Sequence, residues 1–533
     1  MADGDEEWDR LMRAAAEDRA EDYWRDRDVR RVLPELRSSG RLRLRAVPWG
    51  LFFHAYGPAD DVPRLIEGLR DPDEAAASRS LSELWNAVRH QGGSSAPAAL
   101  AVPFLLRTAA DAGAHGRADV LLLAAEAGHR NHFGRDRRQD LLQVVELPDE
   151  MIIDGAGYPV PWVWQAAREA LTDDVALLIG LLDDAEPAVR AAAAYALATA
   201  LEPPPSVEAA LRARLDVEED PAVRISLVLA VTQLAIEGSQ AGPAVAWTER
   251  LWGDEQNSID VRFAAALAWL CATPDPPPQR LLELLAEATT PEMEQVMLAV
   301  PWPDDIDGHG GLASWLVTFV DGAPDVRAWL AARLSAAPSA ATTRSALEAA
   351  LSLAYEWRSA SDGMIDLIAS HLTHPVPTVR QAAARYLAAA GEVPESASDR
   401  LAEVVEHDDD EVRAWAVLAL AHRGDARAVN PLSELFRQPH PPWPAPRHWK
   451  ELKYQALCLV DRLVSHSDEL MPAILYRLTG NRSSGWQRLW HDLLCGLQGG
   501  VPMTVVKGRG EVGRASCRGA SRRGRRSGVG PGR

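Results

Sequence analysis

Lysine is nearly missing from this chain of 533 residues: Lys450, Lys453 and Lys507 are the only three among 56 basic side chains. Phenylalanine and tyrosine are scarce too, seven and eight against 18 tryptophans. Both biases suit a GC-rich gene, in which arginine, alanine and tryptophan codons are favoured, so neither excess marks a function by itself. The four cysteines, Cys271, Cys458, Cys495 and Cys517, lie far apart with no Cys-x-x-Cys pair. That pattern excludes a disulfide framework and a zinc knuckle, and it points to a reducing, cytoplasmic setting. No apolar run approaches the roughly 20 residues that a membrane helix needs. The first residues, Met1 to Glu7, are acidic where a signal peptide is basic and then apolar. A phosphate-binding glycine loop, a Gly-x-Ser-x-Gly elbow and a His-Glu-x-x-His string are all lacking, so no familiar catalytic motif supports an enzyme reading.

Apolar residues make up 47% of the chain, enough for a large core, and much of that is alanine. Alanine and leucine favour helix, while isoleucine, threonine and tyrosine are sparse, which disfavours sheet. The net charge of −20 is uneven. Residues 501–533 carry nine basic groups and one acidic group, Glu511, so the preceding 500 residues sum to −28. A body that acidic repels phosphate backbones and favours basic partners. It also serves the plainer purpose of keeping a large surface soluble.

One pattern recurs: an acidic or proline-containing turn, then Val-Arg, then small apolar residues at helical spacing. It runs through Glu186-Pro187-Ala188-Val189-Arg190, Asp220-Pro221-Ala222-Val223-Arg224 and Ile259-Asp260-Val261-Arg262. It returns at Pro324-Asp325-Val326-Arg327, at Pro377-Thr378-Val379-Arg380 and at Asp409-Asp410-Glu411-Val412-Arg413. Successive valines are 34, 38, 65, 53 and 33 residues apart. The short gaps suit one helix pair per repeat, and the long ones imply degenerate units or an inserted helix near Thr342 to Trp357. Asp or Pro before Val-Arg starts each helix as a cap or preset first turn. Partner helices are expected over Val175 to Leu182, Val207 to Leu215, Leu281 to Ala288, Met364 to Leu372, Ala397 to Val405 and Val429 to Phe436. Two amphipathic helices cannot bury both faces alone, so the units must stack. The expected fold is all-α, an α-α superhelix of roughly eight to ten helix pairs.

The unit resembles the HEAT repeat, in which an aspartate and an arginine on successive repeats form a hydrogen-bonded ladder. An acid stands six residues before the arginine in three copies: Asp184 with Arg190, Glu218 with Arg224, and Asp321 with Arg327. Gln256, His374 and His407 hold that place before Arg262, Arg380 and Arg413, so the ladder is imperfect. A row of arginines also invites an anion-binding reading, but acids within the same repeats favour the structural one. Upstream, the stretch His54 to Pro63, the helix ending Asn86-Ala87-Val88-Arg89-His90-Gln91-Gly92, and Ala101 to Leu106 resemble HEAT-repeat proteins common in actinobacteria. That resemblance covers roughly residues 46–500 and implies a fold, not an activity. Ala87-Val88 and Gly93 depart from the Asn-Ile-x-His-Gln-Gly-Thr string usual in that group.

Four regions follow. Residues 1–45 read as a charged helical cap, with a thin apolar stripe of Trp8, Leu11, Met12 and Ala15. Residues 46–160 form a HEAT-like helical region, and residues 161–500 the repeat solenoid. Residues 501–533 are a Gly/Arg-rich tail expected to be disordered. The tail is either a basic arm that binds nucleic acid or the product of a frame slip in a GC-rich gene; the abrupt end of helical patterning after Leu497 favours the slip.

Candidate chemistry is thin. His129-x-x-His132, near Glu126 and Asp136, and His371-x-x-His374 could each offer two ligands from one helix face, but neither has a clear third. No metal and no cofactor is expected. HEAT-like di-iron hydroxylases use several His-Glu dipeptides, and this chain has none. HEAT-like DNA glycosylases line a basic groove with aromatic residues; here Trp269, Trp329 and Trp415 occupy core spacing and the body is acidic. His54, Tyr56, Asn86, His90 and Gln91 are the exposed polar cluster of most interest. Asn86 and His90, four apart, would share a helix face and could contact a ligand or partner, though such residues more often tie a loop to a helix. The expected function is a non-enzymatic scaffold that binds a basic protein along the concave face. Two alternatives stand beside it: an inhibitor or immunity-type protein that masks a basic toxin or nuclease, and a HEAT-like lyase or glycosylase.

Overall fold

In the computed structural model the described residues are 27–129, 137–144, 152–154, 158–303, 305–320, 322–390, 394–437, 463–480, 503–507 and 511–515. Most of the expected N-terminal cap, residues 1–26, lies outside them. The chain divides into two compact units, Met1–Asp321 and Gly322–Arg533. The division falls inside the stretch that the repeat pattern reads as continuous.

The first unit opens with α1 (Val29–Ser38), a short hairpin, α2 (Val62–Gly68), α3 (Glu74–Val88), a second hairpin, α4 (Ala96–Ala109) and α5 (Arg117–Glu126). There follow α6 (Val160–Asp173), α7 (Val175–Leu181), α8 (Pro187–Thr199), α9 (Ser206–Leu215), α10 (Pro221–Glu237), α11 (Ala241–Gly253) and α12 (Ile259–Ala272). The unit closes with α13 (Gln279–Ala288), α14 (Pro291–Met297) and α15 (Leu312–Val320). The helix starts follow their sequence signals. Proline opens α8 and α10, and the Asp220 carboxylate caps α10 by accepting the N–H groups of Ala222 and Val223.

Helices α5, α8, α10 and α12 pack one on the next as a continuous row. Helices α7, α9 and α11 each pack against the row helix that follows them and touch one another far less. The composition of the row helices explains the arrangement. Helix α8 is alanine-rich and apolar around its circumference, and a helix of that kind belongs between neighbours. Every residue from Val189 to Thr199 is buried.

The second unit contains α16 (Pro324–Ser335), α17 (Ala340–Glu356), α18 (Arg358–Ser370), α19 (Pro377–Ala390) and α20 (Glu395–Glu403). It continues with α21 (Asp410–Arg423), α22 (Val429–Arg437) and α23 (Ser467–Gly480). Here α17, α19 and α21 form the close row, and α16, α18 and α20 the outer one. The helix expected as an insertion near Thr342 is therefore a row helix, and the Val326-Arg327 copy sits on the outer side. Burial accounts for the exchange. Helix α16 buries one narrow stripe, Arg327, Leu330, Ala331, Leu334 and Ser335, whereas α17 buries a broad face from Thr342 to Leu353. Gly424, in the left-handed region at φ 73, ends α21.

In the C-terminal stretch, Met503–Lys507 and Glu511–Ala515 pair as antiparallel strands, where composition alone predicts no regular structure. Among the described residues, no helix is long and apolar enough to cross a membrane.

Candidate functional site

The ladder arginines of the first unit are bound internally. Arg117, at the start of α5, donates to Asp184 and, at 3.0 Å, to Glu186. Arg190 grips Glu218 through Nε and Nη2, both at 2.8 Å. Arg224 holds Asp260 the same way, at 2.6 and 3.0 Å. Each of these arginines thus bonds an acid one repeat further along. A second interaction recurs in both units. Nη1 of Arg190, Arg224, Arg380 and Arg413 donates to the backbone carbonyl six residues back, on Asp184, Glu218, His374 and His407 at 2.9, 3.3, 2.7 and 2.7 Å. This explains why histidine is tolerated at that position in the second unit: the arginine needs only its carbonyl, and its Nδ1 accepts the backbone N–H two residues on, of Val376 or Asp409.

The pairing is incomplete elsewhere. Arg262 Nε donates to the Trp252 carbonyl at 3.2 Å. Arg327 meets Glu356 at the end of α17 at 2.6 Å. Arg413 also bonds Asp410. Asp321 lies outside the described residues. Three ladder residues escape the six-residue rule. Asp260 stands two positions before its local arginine, Arg117 follows no valine, and Glu356 ends a helix that carries no Val-Arg.

Electrostatics follow the geometry. Burial opposes ionisation of Glu218, but bonds from Arg190, the Asp220 N–H and Arg214 outweigh it and bring the pKa down to about 2. The Arg117 guanidinium likewise holds the Asp184 carboxyl below its usual range. With both Nε and Nη2 engaged, Arg190 and Arg224 present no fork to a phosphate.

The second candidate cluster is built on two tight hairpins. Strands β1 (Phe53–His54) and β2 (Gly57–Pro58) turn through Ala55-Tyr56, and β3 (Arg89–His90) and β4 (Gly93–Ser94) turn through Gln91-Gly92. Gln91 and Gly92 have φ of 50 and 80, the positive pair that a two-residue hairpin turn demands. The expected Asn86–His90 helix face does not form, because α3 ends at Val88. Arg89 turns inward instead, ion-paired to Glu126 and bonded to Ser94 Oγ at 2.9 Å and the Glu126 carbonyl at 2.7 Å. Asn86 donates back to the Ser82 carbonyl within its own helix.

Strand alternation turns His90 outward, beside Tyr56. The Tyr56 ring meets His90 edge-on at 5.4 Å and His54 at 6.2 Å. His54 Nδ1 accepts the Tyr56 N–H at 3.1 Å, so in the neutral ring the proton sits on Nε2, which faces Asp61 at 2.8 Å. Tyr56 is 68% exposed, with Phe53 and Leu51 at 41% and 44% nearby in sequence, so the hairpins present apolar surface from a rigid base.

The described members of the histidine pairs, His129, His371 and His374, bond within the protein. His129 is buried and stacked on Tyr195 at 4.8 Å, with Nε2 against Thr199 Oγ1 at 2.7 Å; His132 and Asp136 lie outside the described residues. Tyr195 packs in turn on Trp302, whose indole donates to Gln233 at 2.7 Å. His371 has Nδ1 and Nε2 against the carbonyls of Leu367 and Ser335. His374 Nδ1 accepts the Val376 N–H. Among the described residues, no group of three or more ligating side chains converges. Trp269 and Trp415 are buried and Trp329 half-buried.

The family description "HEAT repeats" matches residues 327–420 and 365–444. With the helix pairs described above, the chain is an all-α solenoid that carries HEAT repeats. A comparison with curated proteins gives no match. Among solved structures, an engineered protein is similar at 16% identity and a TM-score of 0.33, over 74% of this chain and 98% of its own. Kap121p bound to Pho4p is similar at 14% identity and a TM-score of 0.39, over 82% of this chain and 53% of its own. The karyopherin Kap121p bound to the SUMO protease Ulp1p gives the same identity and TM-score. This chain spans about half the length of the karyopherin.

Proposed function

We propose that the chain is a non-enzymatic scaffold for protein–protein interaction, and that it takes a basic partner. The observation that carries this reading is the fate of the charges. The repeated arginines of the first unit are turned into the ladder, while Asp216, Glu219 and Asp254 on the turns beside it stay exposed. An outward surface of that sign, on a body of −28, attracts basic proteins and repels nucleic acid. The Tyr56 patch adds the kind of rigid aromatic contact that dominates protein interfaces.

The expected contact is the concave face of the stack. In the first unit α8 exposes no side chain between Val189 and Thr199, so a partner there would be met by the turns and loops at the ends of the row helices. The test is affinity capture from a native lysate with the full chain, eluted by rising salt. One stoichiometric basic protein released by salt supports the reading. Recovery of nucleic acid alone, or of a partner that resists high salt, refutes it. Loss of a captured toxin's or nuclease's activity on binding would narrow the role to inhibition.

A further inference from the structure

Between the C-terminal end of α10 and the start of α11, the first unit holds a cleft of about 810 Å³, the size of a small-molecule or side-chain pocket. Its apolar wall includes Leu201, Ile236 and Trp247. The Pro203-Pro204-Pro205 run forms another side, and three successive prolines have no N–H to donate, so that side offers acceptors alone.

Five charged side chains line the cleft, and four of them are matched. Arg168 is ion-paired with Glu237, and its Nε donates to the Thr199 carbonyl at 2.9 Å. Arg212 Nε donates to Glu208 at 2.8 Å, and its guanidinium lies 4.2 Å over the Trp247 ring. Glu202 is exposed and has no partner among the described residues, so the cleft carries one surplus negative charge. Its backbone has a φ of 44 immediately before Pro203, and Ser239, between the lining residues Gly238 and Gln240, has a φ of 58. Only one other non-glycine among the described residues, Gln91, has a positive φ. Such conformations persist where the surroundings enforce them.

We propose that this cleft seats a basic, apolar-flanked segment of the protein partner. One arginine or lysine reaches Glu202, while its methylene stem and an apolar neighbour lie on Leu201, Ile236 and Trp247. Arg212 over Trp247 shows the same chemistry already satisfied within the chain, a guanidinium on an aromatic face beside a carboxylate. The inference rests on the protein-binding reading above and adds to it a place and a partner chemistry.

The probe is a fluorescein-labelled Leu-Arg-Leu-Arg-Leu-Arg peptide, with the Leu-Glu counterpart as control, titrated against the full chain by anisotropy at low salt. Glu202→Lys should weaken binding about tenfold, whereas Glu287→Lys, the same charge reversal on the exposed face of α13 outside the cleft, should change it less than about threefold. Equal loss in both variants would mean a diffuse acidic field, overturning the cleft while leaving the scaffold reading intact. A photoreactive version of the peptide on the unaltered chain removes any question of folding. Adducts within residues 201–208 or 234–247 support the proposal, and adducts elsewhere or no binding overturn it. Displacement by free arginine as effective as by the peptide would make this a small-molecule site and equally overturn the proposal. The lysate capture is a separate readout, so a basic partner held as tightly by the Glu202→Lys variant sinks the cleft alone.

Discussion

Replacing Glu218 with glutamine keeps the side chain's shape and removes its charge at the most heavily bonded point of the ladder. The Glu218 side chain is 1% exposed. It accepts both Arg190 bonds, Arg214 Nε at 2.9 Å, and the N–H groups of Glu219 and Asp220 at 3.0 and 2.9 Å. A glutamine would set an NH2 against some of these donors, leave the buried Arg190 guanidinium without its carboxylate, and leave Arg214 with Asp183 alone. Breaking a buried ion pair from one side costs about 3–5 kcal/mol. The titration gives an independent figure. A carboxyl held at about 2 in place of the usual 4.5 contributes about 3 kcal/mol. Because the folded pKa is the lower one, that contribution is complete above pH 4.5 and is lost as pH falls toward 2. Wild type should therefore exceed Glu218→Gln by about 3 kcal/mol at pH 7, and the gap should narrow by about 1 kcal/mol at pH 3.5. Urea unfolding at each pH measures it. Hydrogen exchange of peptides from α8 to α10 localises it, since repeat arrays open in parts. A gap under about 1 kcal/mol at pH 7, or one that stays constant down to pH 3.5, would refute the reasoning.

Three further outcomes are expected. Asp220→Ala removes the cap of α10 and should cost about 1 kcal/mol in urea unfolding. The buried Trp269 indole N–H has no partner among the described residues, so Trp269→Phe should cost less than Trp302→Phe, which also breaks the bond to Gln233; the difference should be about 1 kcal/mol by the same assay. Tyr56→Ala should leave the melting temperature within a few degrees of wild type, because the ring is largely exposed, yet reduce capture of a partner that uses the hairpin patch.

What sequence by itself determined is local. Pro187, Pro221 and Asp220 mark helix starts because capping is a matter of neighbouring residues, and alanine-rich stretches such as 191–198 read as buried helix because their circumference carries no charge. The Val-Arg period likewise shows that repeats stack, and the arginines of the ladder, Arg117 apart, stand out by spacing alone. Which acid each arginine meets was decided only in the tertiary structure. Arg224 and Asp260 are 36 residues apart, and Asp260 breaks the spacing rule that picked out Glu218. The same holds for α16 and α17, whose exchange of rows depends on how much of each surface its neighbours cover. His90 was misplaced on a helix because the pull on Arg89 comes from Glu126, 37 residues away. The cleft beside Glu202 was beyond sequence altogether. Its walls come from several helices and a proline turn, and no spacing within one helix encodes a space between several.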